Sequence, residues 1–207
     1  GVVDPRPLRL QHLGLPFVSV GTRLEGGAAV VIDDTSMVAE AVEHLADRGH
    51  RLVAYVSGYD NLKHTNRRRR AVVERGEELG VEVLLSNPTD YSEGSGAAET
   101  RRLLAGRSRP DAFIFDNEIL TLGGLATIAA SGLSIPGDVA VVSLEDSPVC
   151  RVVTPQISAF LRDPSRLGAA AAQLLVGDLS ELETRTIALP SPQLAVRASS
   201  AESVHVS

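Results

Sequence analysis

The sequence predicts an α/β fold built on a mostly parallel sheet with helices on both faces. Three observations point there. Continuous apolar runs such as Leu52-Val53-Ala54-Tyr55-Val56 have the length and residue types of strands buried on both sides. Other segments repeat apolar residues at i, i+3, i+4 and i+7, the period of an amphipathic helix. The two kinds of segment alternate along the chain at the spacing of βαβ units.

Each element has a local reason. Residues 15–20 form a β-rich run bounded by Gly14 and Gly21, and Val30-Val31-Ile32 forms a second. Residues 36–48 place Val38, Ala41, Val42 and Leu45 on one helical face, with Thr35 or Ser36 as N-cap and Gly49 just past the end. Residues 52–56 are a buried strand closed by Ser57-Gly58. A helix over 66–79 stops at Gly80, and a strand over 81–85 and a helix over 93–105 follow. The cycle repeats with a strand at 111–115, a helix at 118–130 ended by Gly132, and a strand at 138–144. A strand at 157–161 precedes an Ala-rich helix at 164–176, where Pro164 suits the first turn. Two short strands, 186–189 and 193–196, flank Pro190 and Pro192, and the small polar residues from Ser199 onward are expected to fray.

Composition narrows the function. The chain has 207 residues, 43 % of them hydrophobic and 22 % charged, which is ordinary for a folded globular protein and not for a disordered one. Its net charge of −6 argues against gripping a phosphate backbone unaided. A single cysteine, Cys150, cannot form an internal disulfide. No apolar stretch approaches the length of a membrane span, and the N-terminus lacks the basic and apolar regions of a secretory signal. Gly1-Val2-Val3-Asp4 reads as the tail of a strand, so a piece of a longer protein is expected.

Open parallel sheets bind ligands beyond the carboxyl ends of their strands. The residues there are the loop 57–65 leading into Arg67-Arg68-Arg69-Arg70, a loop holding Tyr91, then Asp116-Asn117-Glu118, then Glu145-Asp146. Together they offer a guanidinium, a phenol ring, an amide and a carboxylate, a set that can grip a neutral polyhydroxylated molecule. Plainer readings stand beside this one. Asp116 or Asn117 serves equally well as a helix cap. Tyr91 is ordinary loop packing, and Glu145-Asp146 a solvated turn before Pro148. Four successive arginines fan around a helix and read first as a solvated helix start. Gly94-Ser95-Gly96 lacks the third glycine and the preceding strand of a phosphate loop. There is no nucleophile elbow, no metal-ligand spacing among the five histidines and Cys150, and no signal for a cofactor. Cys150 reads as a buried or interface thiol.

Several stretches taken in order resemble the effector-binding core of the LacI/GalR family of bacterial transcriptional repressors. They are Gly14-Leu15-Pro16-Phe17-Val18, Val31-Ile32-Asp33-Asp34, Glu43-His44-Leu45 and Arg48-Gly49-His50-Arg51. Pro110-Asp111-Ala112-Phe113-Ile114-Phe115-Asp116-Asn117-Glu118, Leu122-Gly123 and Ile135-Pro136-Gly137-Asp138-Val139 continue the series. Thr154-Pro155-Gln156-Ile157-Ser158 and Leu194-Ala195-Val196-Arg197 close it. Each is weak alone, and their common order and spacing are specific.

The resemblance implies two parallel-sheet, three-layer subdomains of periplasmic binding protein type I, the N-terminal one incomplete. The N-terminal subdomain would take residues 1–33 and 161–190, and the C-terminal subdomain 34–160 and 191–207. An effector, sugar-like and small, would bind between them. Arg68, Tyr91, Asn117, Glu145, His64 and Gly21 fall at the family's ligand-contacting positions. Leu122, Ala126, Val149 and Cys150 fall at its homodimer contacts. Operator DNA would be held only by an N-terminal helix-turn-helix headpiece absent from this sequence, and the protein would be cytoplasmic and not an enzyme. Glu145 stands for the usual Asp, Glu118 for another Asp, and Ala71 for a common Gly, while His64 and Gly21 are unusual choices. The effector's identity therefore does not transfer. A periplasmic sugar-binding protein of a transporter shares the fold and is the alternative, to be separated by what lies upstream: a signal peptide or a basic helix-turn-helix.

Overall fold

The computed structural model describes residues 5–176 and 185–201. In chain order the elements are α1 (Pro5–His12), β1 (Val18–Gly21), β2 (Ala28–Ile32), α2 (Asp34–Ala46), β3 (Leu52–Val56), α3 (Lys63–Leu79) and β4 (Glu82–Leu85). Then come α4 (Glu93–Leu104), β5 (Ala112–Phe115), α5 (Glu118–Ala130), β6 (Ala140–Ser143) and α6 (Pro148–Val152). Last are β7 (Ser158–Leu161), α7 (Pro164–Val176), β8 (Thr186–Leu189), β9 (Gln193–Ala195) and a short 3-10 turn, Ala198–Ser200. The strand tail expected at Gly1 to Asp4, and the end of the polar tail, lie outside the described residues.

The chain divides into two compact units, one of Gly1–Asp33 and Asp163–Ser191, the other of Asp34–Arg162 and Pro192–Ser207. The first unit carries a parallel three-stranded sheet in the order β1-β2-β8. Ala28 and Val30 of β2 pack with Ala170 and Leu174 of α7. Its α1 was not foreseen, because it is only eight residues long, carries two prolines and is mostly polar.

The second unit carries a six-stranded sheet in the order β4-β3-β5-β6-β7-β9. All neighbours are parallel except β9, which returns antiparallel to β7. Strand residues alternate between two cores, as a pleat requires. Val53, Tyr55, Ile114 and Val142 meet Met37, Val38, Ala41 and Val42 of α2 on one face. Ala54, Val56, Phe113, Phe115 and Val141 meet Leu103, Leu120 and Ile128 on the other. Because both faces are covered, every residue of β5 and β6 is buried, and the sequence shows runs there and no alternation. Burying a ring such as Phe113 or Phe115 stabilises by roughly 1.5–3 kcal/mol.

On the second face α4 and α5 touch backbone to backbone. A Cβ on Gly123 would lie 2.1 Å from the Glu93 carbonyl oxygen, and one on Gly96 would lie 2.7 Å from that of Leu120. Small residues at both crossings are what let the two helices approach so closely.

Pro148–Val152 forms a helical turn, with Cys150 packed in the core. Two local expectations are corrected. α2 begins at Asp34, two residues before Ser36. Ser199 and Ser200 do not fray, since both are fully buried. Ser199 Oγ donates to the Val141 carbonyl at 2.6 Å and accepts from Ser158 N at 2.8 Å. Ser200 Oγ donates to Ser158 Oγ at 2.7 Å and lies 2.7 Å from His44 Nε2. Arg197 continues the anchor, bonding Asp146 at 2.7 Å and the Ile157 carbonyl at 2.6 Å. Each of these bonds is non-local, so nothing near the chain end announces it.

Burial and the Arg48 charge push His44 down to about 4, against a weaker upward pull from the Ser200 carbonyl. The unfolded chain then binds the proton more readily than the folded one below pH 6.5, so acid destabilises. Stability should fall as pH drops from 6.5 towards 4, and His44→Gln should remove about 2 kcal/mol of that slope in urea titrations. Gly123→Ala should lower stability by about 1–3 kcal/mol through forced helix separation, read as a lower urea midpoint at unchanged slope.

Candidate functional site

At the carboxyl edge of the six-stranded sheet, an open cleft of about 290 Å³ is lined by His64, Arg68, Tyr91, Asp116, Asn117, Glu145 and Arg162. All seven are polar or amphipathic, and all belong to the second unit. His64 and Arg68 come from the first turns of α3, and Tyr91 from the loop before α4. Asp116 and Asn117 lie between β5 and α5, Glu145 follows β6, and Arg162 follows β7. Five of the six residues expected at a ligand are therefore gathered here. The sixth, Gly21, ends β1 in the other unit, with φ at 90° and nothing within 4 Å of the place a Cβ would take.

Asp116 organises the cleft floor. Its side chain is fully buried. Oδ1 accepts from Tyr55 Oη at 2.8 Å and from Arg68 Nη1 at 2.7 Å. Oδ2 accepts from Tyr91 Oη at 2.9 Å and from Gly58 N at 3.4 Å. Burial alone would raise this carboxyl, but the Arg68 charge and the three side-chain donors outweigh it and hold Asp116 below the usual range. The sequence offered Asp116 as one of the residues past β5 and as a possible cap, not as the hub of the cleft floor. Asn117 is the cap, its side chain accepting from Leu120 N at 2.9 Å while it also lines the cleft.

Arg68, expected at a ligand-contacting position, is already engaged by the protein. It is 6 % exposed and lies between two carboxylates, with Nη2 3.0 Å from Asp34 and Nη1 2.7 Å from Asp116. The reading of the arginine run as a solvated helix start is likewise corrected. Arg69 is half-buried, donating to Ser57 Oγ at 2.6 Å and to the Ser86 carbonyl at 3.0 Å. Arg67 approaches Asp34 at 3.9 Å, and only Arg70 is fully exposed. Consecutive residues fan around a helix, so the four arginines have four different fates.

Tyr91 adopts φ of 62°, a left-handed conformation uncommon for an aromatic residue. Its ring lies over Gly58, where a Cβ would stand 1.8 Å from Cζ, and meets Tyr59 edge-on at 5.8 Å. Burial and the neighbouring Asp116 push its phenol up to about 12, so it stays a donor. Burial and Arg68 lower His64. Glu145 makes no hydrogen bond through its carboxylate to any described residue. Burial raises it, Arg162 opposes that, and Glu118 adds to it. Asp34 and Arg162 had no sequence signal as site residues; they lie near the expected subdomain boundaries.

The residues expected at a dimer contact divide. Leu122 is half-buried and Ala126 exposed on α5, and Val149 is half-buried on α6. Cys150 is 2 % exposed and packs with Ile157, Ala159 and Val141, so its thiol cannot meet a partner. Among the described residues no group of three or more His, Cys, Asp or Glu could hold a metal ion. Among the described residues, no helix is long and apolar enough to cross a membrane.

Comparison with known proteins adds to this geometry. Residues 42–200 match the family model described as periplasmic binding protein-like domain. The chain is 30 % identical over 194 residues to the HTH-type transcriptional regulator CelR of Thermobifida fusca, covering 90 % of this chain and 56 % of that regulator. It thus spans little more than half of that relative's length. It is 36 % identical over 101 residues to the lactose operon repressor of Rhizobium radiobacter, 48 % of this chain and 89 % of that one. A LacI family transcriptional regulator from Bifidobacterium animalis superposes with a TM-score of 0.85 and 31 % identity, covering 97 % of this chain and 74 % of that one.

Removing Arg68 should cost more than removing any other lining residue. Arg68→Ala leaves Asp34 and Asp116 buried without their shared cation and should lower stability by about 3–5 kcal/mol in urea unfolding. Tyr91→Phe removes one of several donors to Asp116 and should cost about 1 kcal/mol. Equal effects of the two would show that the guanidinium is not what holds the cleft floor.

Proposed function

The chain belongs to the LacI/GalR family of transcriptional regulators, and from that premise we propose that it is the effector-sensing core of such a regulator. The observation that carries this is the polar cleft beyond the parallel strands, where donors, acceptors and a tyrosine ring converge. In it Glu145 accepts from ligand hydroxyls, the Asn117 amide and the outward edges of Arg68 and Arg162 donate, and the Tyr91 ring offers a face. That chemistry suits a small sugar-like molecule, and a relative that represses a lactose operon favours the same class.

The two compact units correspond, in this reading, to the two subdomains of the family core. Ligand binding shifts the population between two arrangements of that core, and operator DNA is held by a helix-turn-helix segment outside this sequence. The net charge of −6 fits that division of labour. Leu122, Ala126 and Val149 contribute to a homodimer contact, and the regulator works in the cytoplasm. The named relatives are regulators, which leaves the transporter alternative without support.

Calorimetry with a panel of pentoses, hexoses and disaccharides tests the sensing reading. Glu145→Gln and Tyr91→Ala should each weaken the best sugar by roughly tenfold while the fold persists, as expected for loss of one charge-assisted bond or one ring face. Unchanged affinity in both variants would remove this cleft from the ligand's path. Leu122→Asp should reduce the mass seen by light scattering to that of one chain, and an unchanged mass would reject α5 as an interface.

A further inference from the structure

The cleft holds two guanidinium groups, yet it is not a basic site. Asp34 opens α2 directly behind them and is 6 % exposed. One of its oxygens, Oδ1, lies 3.0 Å from Arg68 Nη2 and 3.6 Å from Arg162 Nη2. Asp116 holds the other end of Arg68 at 2.7 Å. Each lining cation is therefore matched to a carboxylate before a ligand arrives. Glu145 adds a further carboxylate with no hydrogen bond or ion pair to a described residue, while burial keeps the third basic side chain, His64, towards its neutral form.

We propose that Asp34 sets the charge class of the ligand: by neutralising Arg68 and Arg162 from behind, it makes the cleft take uncharged polyols and refuse sugars that carry a phosphate or carboxylate. An anionic ligand must either break an arginine from its buried partner or lie against Glu145 and Asp116. Both are opposed because Asp34, Arg68 and Asp116 are buried at the cleft floor, where charges act over short distances with little screening. An uncharged polyol meets neither obstacle. It donates to Glu145 and accepts from guanidinium edges that remain paired on their far side. Asp34 does not line the cleft, so its effect is exerted through the arginines it pairs with, Arg68 and Arg162 in the lining and Arg67 at 3.9 Å beside them.

This deepens the sensing reading and rests on it for the sugar. The charge argument can be tested without knowing the ligand, using inorganic phosphate as the probe in a low-salt buffer on the complete 207-residue chain. Thermal stability and calorimetry should show no response of the wild type to millimolar phosphate. Asp34→Asn keeps the size of the side chain and frees positive charge, so it should bind phosphate at least about tenfold more tightly than wild type. Glu145→Gln, which alters no core contact, should shift in the same direction by less, and it serves if Asp34→Asn does not fold. Glucose and galactose, their terminal phosphate esters and their uronic acids complete the panel. Phosphate binding by the wild type, a preference for an ester or uronate over its parent sugar, or a folded Asp34→Asn with no gain would each overturn the proposal. Refusal of neutral sugars together with refusal of phosphate would instead count against the sensing reading and leave the charge assignment standing.

Discussion

Asp116 carries a negative charge at the end of a strand buried on both faces, and the cleft is arranged around that fact. A lone carboxylate there would be driven to its neutral form. Arg68 prevents this, and two phenols and a backbone amide saturate the oxygens. The same arginine reaches Asp34 at the first residue of α2, and Asp34 in turn approaches Arg162 just beyond β7. Four residues from four parts of the chain are thus held in one buried ion network. Such a network does little for net stability compared with an apolar core, but it tolerates no missing member. It holds Arg68 and Arg162 at fixed positions, while Asn117 is held separately by capping α5.

The sheet makes that placement possible. Parallel strands β3, β5, β6 and β7 all end on the same edge, so the loops that follow them share one rim. Tight packing underneath keeps the rim in register. The glycine contacts between α4 and α5 fix the N-terminus of α5 against its neighbour, and there Asn117 both caps the helix and faces the cleft. Tyr91 is constrained in a similar way, since its left-handed backbone and the bare face of Gly58 seat the ring where its hydroxyl reaches Asp116. The anchoring of Arg197, Ser199 and Ser200 closes the far side of the same sheet with buried bonds.

Much of this was legible along the chain. The runs at β3 and β5, the periods of α2 and α5, and the glycines at their ends are local signals. Order and spacing of short stretches identified the family. The elements that escaped are short: α1 spans eight residues and buries none of them, and α6 spans five; the strand at β9 was legible, but not its antiparallel return along β7. At the cleft, the rule that ligands sit beyond strand ends found Arg68, Tyr91, Asn117 and Glu145 as candidates. It could not tell that Arg68 is already engaged or that Asp116 is the hub.

The chain alone therefore determined which segments are strands and helices, that the strands run parallel, and which loops share an edge. Those properties depend on residues within a turn or two of one another. Folding in three dimensions decided the charge state and the pairing of the cleft. Asp34 and Arg68 are 34 positions apart, and Arg68 and Asp116 are 48 apart. Whether a guanidinium so placed is free or neutralised depends on distances of about 3 Å between such remote positions, and the Coulomb energy that settles it changes steeply over that range.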